Sequence, residues 1–290
     1  MMNWKLRIKK WLVRLALRDY SVQSIEASLE TLLRERKSFA RIGDGEFTLM
    51  CQSGPLRFQQ ENAQLSLRLR QVLEQPIPEC LVGVPDTVGY FHNLTPTSEE
   101  FWVQYMYETL ADWRRLLRKH TAYLAANVTR PYIRYRDRSV SKGYFEALKK
   151  LWEDRDVLIV EGEHTALGVG NDLLERARSV RRVLCPAADA FSKYAQILAA
   201  AKTHGADRVI LIALGPTATV LAYDLAKAGL YALDIGHIDV EYEWFRMGAT
   251  QPVKLENRFV NEAQDGAQPE AVADSAYLEQ IVAKIMNNRG

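Results

Sequence analysis

Two Asp-x-Glu triplets, Asp44-Gly45-Glu46 and Asp239-Val240-Glu241, carry the side chains in this sequence best suited to chemistry. Residues two apart in extended backbone face the same side, so each triplet would aim two carboxylates at one point. Such oxygen donors suit Mg2+ or Mn2+ bridging a diphosphate and do not suit zinc. The commoner fate of these acids is to cap the helix that follows, or to pair with Arg41 or Arg246. The second triplet sits in Asp234-Ile235-Gly236-His237-Ile238-Asp239-Val240-Glu241-Tyr242-Glu243-Trp244, which gathers five acid or imidazole groups in eleven residues. There His237 is open to three roles: ligand, acid-base group or hydrogen-bonded turn residue.

Glycine-bearing turns are the other signal. Gly168-Val169-Gly170-Asn171-Asp172 and Gly215-Pro216-Thr217 each precede a predicted helix, whose free N–H groups can receive phosphate. The first lacks the third glycine of a dinucleotide fingerprint, and no GxxxxGK[ST] occurs, which disfavours dehydrogenase and P-loop readings.

The elements that must position these residues alternate. Ser21 to Lys37 reads as a helix and Phe39 to Ile42 as a strand running into Gly43-Asp44-Gly45-Glu46. Asn62 to Gln75 reads as a helix, Cys80 to Pro85 as a buried strand and Phe101 to His120 as one aromatic-rich helix, with a functional loop at Tyr123 to Asp137. Strands are then expected at Asp156 to Val160, Val180 to Cys185, Asp207 to Leu214 and Tyr231 to Ile235. Helices are expected between them, at Asn171 to Ser179, Ala190 to Thr203 and Thr217 to Ala228. Asn261 to Ser275 reads as a surface loop and Ala276 to Met286 as a closing helix. This alternation predicts an α/β fold, a Rossmann-like parallel sheet with helices on both faces. Ligands of such sheets bind beyond the carboxyl ends of the strands, where the polar clusters fall, including Pro186-Ala187-Ala188-Asp189.

The chain has 290 residues and is 48% hydrophobic, enough for one core, and its net charge of +2 argues against a nucleic-acid binder. Three widely spaced cysteines give neither a disulfide framework nor a zinc site, so a reducing cytoplasm is the default. Residues 1–20 form a basic amphipathic segment ahead of a single domain over 21–290. No apolar run spans a bilayer, and Arg14 and Arg18 interrupt any secretion-signal core. Lys5, Arg7, Lys9, Lys10, Arg14 and Arg18 alternate with Trp4, Ile8, Trp11, Leu12 and Leu15. Residues 1–18 therefore suit either peripheral contact with the inner face of the membrane or packing as a first helix on the domain.

Four ordered motifs, Arg41-Ile42-Gly43-Asp44-Gly45-Glu46, Gly168-Val169-Gly170-Asn171-Asp172-Leu173, Ala213-Leu214-Gly215-Pro216-Thr217-Ala218 and the run from Asp234 to Trp244, together resemble the GT-D fold glycosyltransferases. The resemblance covers Ser38 to Glu262, with Asp189 standing where the family carries Asn before Ala-Phe. It implies a GT-D type Rossmann-like fold, a UDP-sugar donor and a divalent metal held through Asp-x-Glu. The metal candidates are Asp239 and Glu241, or Asp44 and Glu46. For acid-base work the candidates are Asp44, Glu46, His237, Glu241 and Glu243. For substrate they are Arg41, Gly43, Arg130, Glu161, Gly170, Asn171, Asp172, Asp189, Gly215, Pro216 and Thr217. The expected activity is metal-dependent transfer of a glucose-like hexose from a UDP-sugar to a hydroxyl of a protein- or lipid-linked glycan, in surface polysaccharide or glycoprotein synthesis. The rival is a non-catalytic nucleotide-sugar-binding module that regulates a neighbouring transferase. A phosphoesterase is weaker, for want of a clustered two-metal His/Asp set.

Overall fold

A computed structural model describes residues 4–52, 54–56, 58–88, 90–255 and 274–287. Within them runs a nine-stranded sheet: β1 (Ser21–Val22), β2 (Ser38–Arg41), β3 (Cys80–Val84), β4 (Ala122–Ala125), β5 (Asp156–Gly162), β6 (Ser179–Cys185), β7 (Val209–Ala213), β8 (Ala232–Asp234) and β9 (Ile281–Lys284). The order is β1-β4-β3-β2-β8-β7-β5-β6-β9, and every pair is parallel. Because all strands run one way, all their carboxyl ends lie along one edge. All five residues of β7 are buried, as a strand covered on both faces requires. The Pro216–Lys227 helix is buried along most of its length. The predicted Rossmann-like α/β architecture is the observed one.

Five local expectations are corrected. Ser21–Val22, expected as the start of a helix, pairs with β4 as β1, and the helix is Ile25–Glu35. Residues 171–179 contain no helix, because Gly168 and Gly170 turn with positive φ and the Asn171 side chain accepts from Leu173 N. Phe101 to His120 is two helices, Pro96–Glu108 and Leu110–Leu116, meeting at Thr109. The 123–137 stretch begins as the end of β4 and a 3-10 turn, Ala126–Thr129. The chain ends in a short helix, Ser275–Glu279, and the edge strand β9, where β-branched Ile281 and Val282 favour pairing with β6. The loop expected at Asn261 to Ser275 lies largely outside the described residues.

The basic segment forms the Trp4–Ala16 helix. Its Leu6 and Val13, with Leu17 beyond, join the core, and Lys10 pairs with Glu99 at 2.6 Å. An opposite stripe faces outward, with Trp4 65%, Ile8 48%, Trp11 61% and Leu15 46% exposed. No helix among the described residues is long and apolar enough to cross a membrane.

Candidate active site

An open cleft lies at the carboxyl ends of β5, β6, β7 and β8, lined among others by Phe58, Gln59, Asp189, Gly215, His237 and Asp239. Each wall has a local cause. Gly215 takes φ +53, and a Cβ there would lie 2.7 Å from the Phe58 ring, so the turn needs glycine. Pro216 then opens the helix with its φ preset and no N–H to leave unpaired. Gly236, at φ +46, lets the chain leave β8 against Arg41 and start the Ile238–Arg246 helix, with His237 at its N-cap.

On that helix Asp239 is 2% exposed, and its Oδ1 accepts from Gly168 N at 2.9 Å and Asn171 Nδ2 at 2.8 Å. The same Asn171 amide donates to Glu243 at 2.6 Å, so Asp239 and Glu243, one turn apart, meet at one nitrogen. Asp189, at φ +53, lines the opposite side and accepts from Gln59 Nε2 at 2.5 Å. The 162–168 loop beneath is pinned from inside. Glu161 accepts from Leu167 N and from Arg182, both groups being almost fully buried. Burial pushes the Glu161 carboxyl up from its ordinary range, and the Arg182 charge opposes that.

The two Asp-x-Glu triplets do not converge as extended backbone would make them, because both lie in the first turn of a helix, where residues two apart point in divergent directions. Glu241 is fully buried and turns away from the cleft, its Oε1 accepting from Tyr132 N and Ile133 N at 2.8 Å each. Arg130 Nε lies 3.9 Å from its other oxygen. Glu46 bends back to accept from Gly43 N at 2.7 Å, capping its own helix, while Asp44 is exposed and outside the cleft lining. Burial first, then the neighbouring Asp234 charge, pushes Glu46 up to about 7.

Other candidates are engaged within the fold. Arg41 donates to Asp234 Oδ1 and to Thr129 Oγ1 at 2.9 Å, joining β2, β8 and the 3-10 turn. Asp172 pairs with Lys149 at 2.5 Å and accepts from Tyr242. Thr217 is fully buried behind Gly215, and Gly170 is an exposed turn residue whose carbonyl accepts from Arg246. Phe58, Gln59 and Thr165 line the cleft without any motif marking them; the only sequence signal was an aromatic in a loop, Phe58.

A divalent cation fits part of the expected ligand set. Among the described residues no three His, Cys, Asp or Glu side chains form a metal cage. A hard cation held by one carboxylate and phosphate oxygens needs none. Asp239 has the position for it; Glu241, turned to the 132–133 backbone, does not.

Comparison with known proteins gives the family and the fold. The glycosyltransferase GT-D fold family matches residues 39–263. A probable glycosyl transferase of Streptococcus gordonii is 42% identical over 92% of this chain, and the glycosyltransferase GlyD of Streptococcus pneumoniae is 37% identical over 92%. This chain spans 39% and 33% of their lengths. A solved structure described as domain of unknown function 1792 with a distinct glycosyltransferase fold superposes at TM-score 0.90, with 38% identity, covering 95% of this chain and 99% of that one. A further one, a glycosyltransferase from Streptococcus sanguinis, gives TM-score 0.88 and 41% identity over 91% of this chain and 99% of its own.

Proposed function

The chain belongs to the GT-D fold glycosyltransferases, and from that premise we propose that it transfers a hexose from a UDP-sugar to a hydroxyl of a glycan acceptor. The observation that carries this is the cleft-facing Asp239 carboxylate, fixed by Gly168 N and Asn171, in the same cleft as the helix start at Gly215. Phe58 offers the uracil a ring face, and Asp189 offers the ribose an acceptor. The diphosphate lies toward the start of the Pro216–Lys227 helix, whose dipole favours negative charge. Asp239 would be the carboxylate that holds Mn2+ or Mg2+ in this cleft. A cation held there would supply positive charge against the charge that develops on the diphosphate as the sugar–phosphate bond breaks. Of the acid-base candidates only His237 lines the cleft, and it takes the proton of the acceptor hydroxyl as the new glycosidic bond forms and UDP departs.

Incubating the purified chain with UDP-glucose or UDP-galactose, Mn2+ and glycan acceptors tests this. Mn2+-dependent UDP release, lost in Asp239→Asn, is expected. Donor binding without UDP release would leave the regulatory-module reading standing.

The outward Trp4, Ile8, Trp11 and Leu15 stripe, flanked by basic residues, supports peripheral contact with an anionic membrane on the cytoplasmic side, near a lipid-linked acceptor. Flotation with phosphatidylglycerol vesicles should recover the protein and fail for the Trp4→Ser, Trp11→Ser double variant. Equal flotation of both, or none with either, would contradict it.

A further inference from the structure

A second cavity, of about 350 Å³, opens at the same edge of the sheet, beyond the carboxyl ends of β1, β3 and β4. Tyr90, Tyr135, Tyr144, Asp86, Thr87 and Asn93 are among its lining residues. In the sheet, β3 is separated from β8 by β2 alone, so two strand spacings, roughly 10 Å, lie between the frames of the two cavities. The Arg41–Asp234–Thr129 contacts form the rib between them.

The second cavity is preformed. Asn93, at φ +58, exchanges hydrogen bonds with the Asp137 backbone through both ends of its side-chain amide, and Arg136 N donates to Asn93 O. Leu94 pairs with Tyr135 in an isolated bridge, and Tyr135 OH donates to Asp86 Oδ2 at 2.6 Å. Two polar atoms are nevertheless left over: Asp86 Oδ1 and Thr87 Oγ1 are buried without a hydrogen-bond partner. Thr87 is only 1% exposed. Buried polar atoms are nearly always paired, so a pair of orphans in one cavity wall marks a missing partner.

The lining also selects its chemistry. It holds the Asp86 and Asp137 carboxylates, hydroxyls, two side-chain amides, the His92 imidazole and aromatic rings, with no Lys or Arg, so a phosphorylated ligand would meet two carboxylates and no fixed positive charge. A neutral, hydroxyl-rich ligand with apolar faces fits both halves of the wall. Its C–H face packs on Tyr90, which is 51% exposed, and its hydroxyls meet the polar part of the wall that Asp86, Thr87 and Asn93 line.

We propose that this second cavity is the binding subsite for the saccharide acceptor. The assignment rests on the transferase reading and gives Glu241 a purpose: Asp239 builds the donor cleft, and Glu241, two residues on, holds the 132–133 backbone between Pro131 and Tyr135 of the acceptor cavity. One helix thereby sets the spacing of both.

Ligand-observed saturation-transfer NMR with maltose, lactose and N,N′-diacetylchitobiose tests it on the full chain, beside a thermal-shift titration with UDP and Mn2+. The variants are Tyr90→Ala, at an exposed position, and Thr87→Val, which removes only an unpaired hydroxyl. At least one disaccharide is expected to bind the wild type, and about tenfold more weakly to each variant, with the UDP shift unchanged in both. Binding of none of the three, equal binding to the variants, or loss of the UDP shift in Tyr90→Ala would overturn the proposal. Failure of the wild type to bind UDP would instead count against the donor reading alone.

Discussion

The two Asp-x-Glu triplets are the same signal in sequence and have opposite fates in the fold. In Asp44-Gly45-Glu46 the glutamate closes back on Gly43 N and the aspartate points to solvent. In Asp239-Val240-Glu241 the aspartate faces the cleft while the glutamate clamps a neighbouring loop. Both follow from one fact: each triplet occupies a helix N-terminus, where unpaired N–H groups and the dipole favour acids whether or not a ligand comes. What separates them is what the helix start faces. The Ile238–Arg246 helix begins over the Gly168 and Gly215 turns, and the Asp44–Cys51 helix does not.

The largest effect expected from breaking this contrast is on turnover. Asp239→Asn should lower UDP release by about a hundredfold or more, the scale of losing one preorganised charge at a reacting centre, whereas Asp44→Asn should stay within about twofold. Comparable losses in both would erase the distinction. Next comes stability: Glu241→Ala leaves two buried N–H groups without their acceptor, and a urea titration should show a loss of about 3 kcal/mol. A negligible loss would mean that the clamp carries nothing.

The smallest effect concerns Glu46. Its carboxyl is raised from 4.5 to about 7 in the fold, so between those values the native state binds more protons than the unfolded chain. Stability therefore falls as pH rises through that window and levels off above it. In Glu46→Gln the pH 5 to 7 decline should be shallower, at a cost of about 1 kcal/mol or less from the changed cap. Because the side chain is part-exposed, only a fraction of the full linkage slope is expected. Parallel pH profiles for the two proteins would show that the group titrates normally.

The continuous apolar runs in β5 and β7 made the parallel sheet legible, since strands buried on both faces have few other patterns available. β9 was not legible: four residues beside a short helix read as one amphipathic helix until the β6 edge is there to pair with them. At the site, Asp239, His237, Asp189 and Gly215 could be picked out because they follow strands directly. Residue type does not reveal direction, so Arg41, Glu161 and Asp172 read alike with them, although internal partners engage all three. Phe58 and Gln59 reach the cleft only through the loop that brings Phe58 O to Asp189 N.

The most direct test is isothermal titration of UDP, with and without Mn2+, into the wild type, Asp239→Asn and Asp44→Asn. Mn2+-dependent binding that survives in Asp44→Asn and is lost in Asp239→Asn is the predicted result. Binding unchanged in Asp239→Asn, or abolished only in Asp44→Asn, would contradict the account.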